Sequence, residues 1–310
     1  MAYDLIYLIA GLIGLWLGSE LVIAGSKNIA THLRISGLFI GLTVVSIGTS
    51  LPEIAVSMFG GYNILKGFNI VQVSGIVVGD SIGSCINQIT IILGIVGLFG
   101  ILHITKRELY RDGLMLLSSI VIFFIIALDG KLTRFEGGLI IVVYLMYLIN
   151  LFREEKVMEK MQGRKPVMHL GLDLIMLFGG IWIVVLASKF VIENGIGVAE
   201  AFGVSTSLIG ILVIGLSTGL PELVISISAI RHNEGGLAVG NLIGSNITDL
   251  LFALGSGTVI SGFVVAHSLI WFDAIAMFII AGIVLLLFAK GKQLKKKEAI
   301  ALIGIYAFYV

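Results

Sequence analysis

Apolar residues fall in long unbroken blocks, not in the alternation of a half-buried strand or the single stripe of a surface helix. A helix crossing a membrane needs about 20 mainly apolar residues. Blocks of that kind occur at 3–25, 36–64, 70–100, 111–128, 136–152, 169–195, 204–230, 236–261, 267–289 and 297–310. The pattern predicts an all-α polytopic membrane protein with ten transmembrane helices. The last block is short: Ala299 to Val310 is apolar, so this span must draw on its lysine flank by snorkelling. Polar residues gather between blocks, most densely from Arg153 to Pro166, which separates five blocks from five.

Composition agrees with the blocks. The 310 residues are 58% hydrophobic and 13% charged, against roughly 25% charged in soluble domains. No basic stretch precedes the first block, so no cleaved signal is expected. The single cysteine, Cys85, excludes an internal disulfide and reads as a packing residue. The net charge of +1 gives no reason to expect a nucleic-acid partner, and no protein partner is evident.

The charge pattern orients the blocks. Alternate loops hold Lys27 and Arg34; Lys106, Arg107 and Arg111; Arg153, Lys156, Lys160, Arg164 and Lys165; Arg231; and Lys290, Lys292, Lys295, Lys296 and Lys297. The other loops hold only Lys66, Lys131 and Arg134. Basic loops stay cytoplasmic, so both termini are expected outside and the 153–168 linker in the cytoplasm.

Two polar motifs interrupt the apolar blocks. Gly48-Thr49-Ser50-Leu51-Pro52-Glu53 recurs as Ser217-Thr218-Gly219-Leu220-Pro221-Glu222, 169 residues on. The same spacing pairs Ser19 with Ser188, Ser36 with Ser205 and Gly41 with Gly210. Further on, a spacing of 161 pairs Gly79 with Gly240, Gly83 with Gly244, Ser84 with Ser245 and Ile86 with Ile247. The chain therefore reads as a duplication, with residues 1–152 and 169–310 as two five-helix halves. Five is odd, so the halves should insert in opposite senses, as inverted repeats with broken helices at the midplane.

A proline inside a span breaks the hydrogen-bond ladder, and a carboxylate there is costly. Both made twice point to an ion site. Thr49 and Glu53, like Thr218 and Glu222, are four apart and share a helix face. So do Ser84 and Gln88, and Ser245 and Asp249. Glycine pairs Gly79/Gly83 and Gly240/Gly244 allow close helix approach. Folding the copies together should converge Glu53, Glu222, Asp249, Gln88 and several hydroxyls. All are oxygen donors, which suits hard cations such as Ca²⁺ with its six to eight ligands. The histidines, His32, His103, His169, His232 and His267, lie near span ends. Glu20, Lys189 and Glu193 are expected at the interfaces, and Asp173 and Asp273 at helix starts. Asp80 reads either as a helix-start polar residue or as an extra carboxylate.

The motifs "GTSLPE" and "GNLIGSNITD", in opposed halves, resemble the α-repeats of the calcium/cation antiporter superfamily, nearest to prokaryotic sodium/calcium exchangers. The resemblance covers essentially the whole chain, with the α-repeats at about 36–100 and 204–261. It implies a secondary antiporter exchanging Ca²⁺ for Na⁺ by alternating access in a prokaryotic plasma membrane, with no cofactor and no enzyme activity. It makes Glu53 and Glu222 the central carboxylates. Hydroxyls would come from Thr49, Ser50, Thr218, Ser84 and Ser245, side-chain oxygens from Gln88 and Asp249, and carbonyls from Ser46 and Gly215. The chain departs from the pattern at Gly219 (Ser in the pattern), at Gln88 (usually Asn) and at Asp80 (Asn in the pattern and at Asn241 in this chain). These departures bear on the coupling ion. An H⁺/Ca²⁺ antiporter is the alternative, a cation channel stands further off, and no nucleophile–base pair suggests an enzyme.

Overall fold

The computed structural model describes residues 2–33, 35–162, 170–201 and 219–309. The described residues are helical almost throughout. In order, the helices are α1 (Ala2–Leu33), α2 (Gly37–Thr49), α3 (Leu51–Leu65), α4 (Ile70–Phe99), α5 (Lys106–Ala127), α6 (Arg134–Gln162), α7 (Leu170–Ala201), α8 (Leu220–Arg231), α9 (Gly235–Ser261), α10 (Leu269–Gly291) and α11 (Lys296–Tyr309). Among the described residues seven helices are long and apolar enough to cross a membrane, and the bent pair α2–α3 makes up to eight. Of the ten expected spans, the block at 204–230 lies partly outside the described residues. The tenth is a helix of 14 residues, α11.

The block at 36–64 is two helices, bent by 46°. Pro52 explains the break: it has no N–H to bond the carbonyl of Gly48, and its ring favours the first turn of a new helix. Ser50 caps that helix at φ −77°, ψ 6°. Pro221 likewise stands in the first turn of α8, behind its cap Gly219 at φ −91°, ψ 4°. Helix α6 carries the charged stretch onward as helix through Gln162.

Among the described residues, four two-residue strands tie the chain together. They are β1 (Leu102–His103), β2 (Lys131–Leu132), β3 (Phe263–Val264) and β4 (Gln293–Leu294). Strand β1 pairs antiparallel with β4, and β2 with β3. Each pair therefore joins the first half of the chain to the second.

Burial identifies the centre of the molecule. Helix α9 is 94% buried across its apolar window and α4 72%, whereas α5, α6 and α10 are about one-third buried or less. The exposed apolar side chains of the outer helices, such as Phe135, Phe178 and Leu286, suit a lipid environment. Helices α1 and α7 run antiparallel and touch through small residues: a Cβ on Gly18 would sit 3.0 Å from the Gly180 carbonyl, and one on Gly25 2.8 Å from that of Asp173.

Glu20 of α1 reaches the C-terminal end of α8, which His232 closes. Helix α1 continues to Leu33, beyond the apolar block that predicted it. That puts Glu20 more than three turns from the helix end, bonded by the Ser228 hydroxyl at 3.3 Å and paired with His232 at 3.2 Å.

Candidate functional site

The buried polar residues concentrate where α2, α3, α4, α8 and α9 meet. Glu53 and Glu222 each occupy the first turn of a helix that opens with a proline, Pro52 in α3 and Pro221 in α8. Both are buried, at 2% and 0% exposure, as is Asp249 at 0%. Glu53 lies within electrostatic range of Asp249, Glu222 and the half-buried Asp80. None of the ion pairs among the described residues involves Glu53, Glu222 or Asp249.

The α4 and α9 contributions begin at equivalent points. Each helix widens into a π-helical turn, Gln88–Ile92 in α4 and Asp249–Ala253 in α9. Helix α2 has one as well, Gly41–Val45. Such turns insert one extra residue and shift which side chains face inward. Gln88 and Asp249 are the first residues of their π turns, and they meet across the interface with Gln88 Nε2 donating to Asp249 Oδ2 at 3.0 Å.

The surrounding oxygens are drawn from both halves. The Ser84 hydroxyl donates to Asp249 Oδ2 at 3.4 Å. The Thr49 and Ser245 hydroxyls are 3.2 Å apart and stand beside Glu222, while Ser50 stands beside Asp249. Thr49 also donates to Asn241 Oδ1 at 3.3 Å and to the Ser46 carbonyl at 3.3 Å. That carbonyl accepts the Ser50 amide too, at 3.0 Å. Thr218 and Gly215 lie outside the described residues.

Three participants were not singled out from the sequence as site residues. Asn241 bridges the Thr49 hydroxyl to the Glu222 carbonyl, to which its Nδ2 donates at 3.4 Å. Asn246 donates to Gln88 Oε1 at 2.8 Å. Tyr144 of α6 meets the Thr248 hydroxyl at 3.0 Å behind Asp249. The repeat held a signal for Asn246, because Cys85 takes its place in the first copy.

Close helix approach brings these groups together. A Cβ on Gly240 would fall 2.4 Å from the Leu38 carbonyl, and one on Gly41 2.5 Å from that of Leu237. One on Gly244 would meet Ser46 at 2.9 Å. The Gly240/Gly244 pair thus serves the approach expected of it. Gly79 and Gly83 meet no neighbour among the described residues.

Seven buried oxygens of the motif residues have no hydrogen bond of normal geometry: Ser50 Oγ, both of Glu53, both of Glu222, Asn246 Oδ1 and Asp249 Oδ1. Each buried polar atom left unsatisfied costs about 1–3 kcal/mol, and more if charged. A cation bound among Glu53, Glu222 and Asp249 would supply the partner their free oxygens lack. The chemistry is that of hard cations, since the free atoms are all oxygen. Among the described residues no three His, Cys, Asp or Glu close into one chelate, so the carboxylates are spread across the site with hydroxyls and amides between them.

A family model described as sodium/calcium exchanger protein matches residues 3–153 and 172–310. The sodium/calcium exchanger MaX1 of Methanosarcina acetivorans is 29% identical over 99% of this chain and 97% of its own length. The inner membrane protein YrbG of Escherichia coli is 32% identical over 80% of this chain and 77% of its own. Among solved structures, the sodium-calcium exchanger NCX_Mj soaked with 2.5 mM Na⁺ and 10 mM Sr²⁺ superposes with a TM-score of 0.83 at 28% identity, over 99% of this chain and 97% of that one.

Proposed function

The chain belongs to the sodium/calcium exchanger family, and on that premise we propose that it exchanges Ca²⁺ for Na⁺ through a site built from Glu53, Glu222 and Asp249. The observation that carries the site is the set of unsatisfied buried oxygens on these three residues. Thr49, Ser50, Ser84, Ser245 and Thr218 complete the oxygen shell, with Asp80 as an outlying carboxylate. Carboxylates spaced by hydroxyls hold several monovalent ions at separate positions, or one divalent ion that draws them together. Occupancy of one kind excludes the other, and that exclusion couples the two fluxes.

The same reading makes the molecule ten spans in two inverted halves working by alternating access. Two features support it. The π turns at Gln88 and Asp249 sit at equal repeat positions, 161 residues apart. The strand pairing is reciprocal as well: β1 and β3 occupy equivalent places, as do β2 and β4, and each pairs with the other half's non-equivalent strand. An approximate two-fold axis produces such a crossing.

An imposed Na⁺ gradient tests the function. In proteoliposomes loaded with Na⁺, Ca²⁺ uptake at fixed pH is expected to follow the outward Na⁺ gradient, with external Na⁺ competing and K⁺ competing less. Uptake that ignores Na⁺ but tracks a pH gradient identifies a proton antiporter. Uptake needing only the Ca²⁺ gradient and voltage identifies a channel.

The distribution of basic residues supports both termini outside and the 153–168 linker in the cytoplasm. A cysteine introduced at Gln162 on a Cys85→Ser background is expected to resist an impermeant thiol reagent in intact cells and to react after permeabilisation. Labelling in intact cells would reverse the orientation.

A further inference from the structure

We infer that Asn246 is a positioning residue for the ion site and acts through Gln88, holding that amide as a hydrogen-bond donor to Asp249. The inference rests on the functional reading above and adds to it a control on cation affinity. Asn246 is wholly buried. Its Nδ2 donates to Gln88 Oε1 at 2.8 Å and to the Leu242 carbonyl at 2.9 Å. A primary amide has one accepting end and one donating end. With Oε1 engaged by Asn246, Gln88 must turn its NH₂ inward. It does so, donating to Asp249 Oδ2 at 3.0 Å and to Ser84 Oγ at 3.1 Å.

Gln88 therefore offers the site an N–H, not the oxygen that the family resemblance assigns to it. Asp249 keeps Oδ1 free while Oδ2 is held. A cation cannot take the place of an N–H aimed at the same oxygen, so amide and ion compete for Asp249. Asn246 decides the competition by denying Gln88 the opposite orientation. The device exists once. At the equivalent position of the first copy stands Cys85, whose thiol only reaches the Asn246 carbonyl, at 3.6 Å.

Without the Asn246 donor, Gln88 Oε1 becomes a buried acceptor and the amide turns to present it to the ion. A hydrogen bond to a charged group corresponds to about tenfold or more in an equilibrium constant. The test is a double-mutant cycle of Asn246→Leu and Gln88→Leu. It reads the half-saturating Ca²⁺ concentration and maximal rate of Na⁺-driven uptake, and the Ca²⁺-induced thermal shift in detergent, which needs no transport. Asn246→Leu alone is expected to lower half-saturating Ca²⁺ about tenfold and to slow maximal turnover, because the ion leaves more slowly. In the Gln88→Leu background it should change neither. Equal shifts in both backgrounds, no shift in either, or a rise in half-saturating Ca²⁺ would overturn the inference. If Asn246→Leu is not recovered as a monodisperse protein, Asn246→Ala removes the same donor with less volume and carries the cycle. Wild-type protein that neither takes up Ca²⁺ nor is stabilised by it would overturn the functional reading and this inference together, an outcome distinct from additive shifts in an active exchanger.

Discussion

Glu53→Gln and Glu222→Gln are each expected to abolish Na⁺-driven Ca²⁺ uptake while leaving a folded, monodisperse protein. Both carboxylates are buried with neither oxygen hydrogen-bonded. Without a cation they are a liability to the fold, because a buried charge lacking its partner costs several kcal/mol. An amide of the same shape removes that liability together with the charge that attracts the ion. The ion-free variants should therefore melt at or above the wild-type temperature. A ligand at a hundred times its dissociation constant stabilises a protein by about 2.7 kcal/mol. Wild type should show that gain when Ca²⁺ is added and the variants should lose it. Normal uptake by either purified variant would place the transport site elsewhere.

Gly240→Val is expected to lose transport by a different route, through the packing that assembles the site. The Cβ would lie 2.4 Å from the Leu38 carbonyl and 3.0 Å from the Leu42 amide. Both are main-chain atoms of a helix and cannot swing aside. Overpacking usually costs about 1–3 kcal/mol, and a clash with main chain belongs at or above the top of that range. Separating α2 from α9 would also break the Thr49 contacts with Asn241 and Ser245. Reduced thermal stability in detergent and loss of Ca²⁺ uptake are the expected readings, whereas Gly138→Ala, which meets no neighbour among the described residues, should keep both. A Gly240→Val protein with wild-type melting and activity would show that α2 and α9 do not need this contact.

The legible features of the chain were those that offend a membrane segment. Pro52 and Pro221 stand where a continuous helix is expected, and Glu53 and Glu222 where charge is costly, so their places and their burial followed from chemistry alone. The break at Ser50 followed from Pro52, although the apolar block at 36–64 reads as one span. Other features depended on contacts that composition does not encode. Gly240 and Gly244 announced a close approach but not its partner, α2. The π turns share the composition of ordinary helix, so nothing in the sequence marked Gln88 and Asp249 as their first residues. Asn246 differs from its counterpart Cys85, but its use shows only when Gln88, 158 residues away, is brought against it. Glu20 was legible as a residue near the end of the first apolar block, but what it bonds to was not. Its partners Ser228 and His232 belong to the other half of the chain.

The crossed strands set the order in which the molecule can be completed during synthesis. Leu102 waits for Leu294, and Leu132 for Phe263, so neither clasp closes before most of the polypeptide has left the ribosome. Thr49 and Gln88 also have partners in the second half, Ser245 and Asp249. The first half must therefore dwell in the bilayer with Glu53 lacking its neighbours, in an environment where an intramembrane acid is costly. Nascent chains truncated before Phe263 would keep both strand edges open and the polar face half built, a state prone to aggregate.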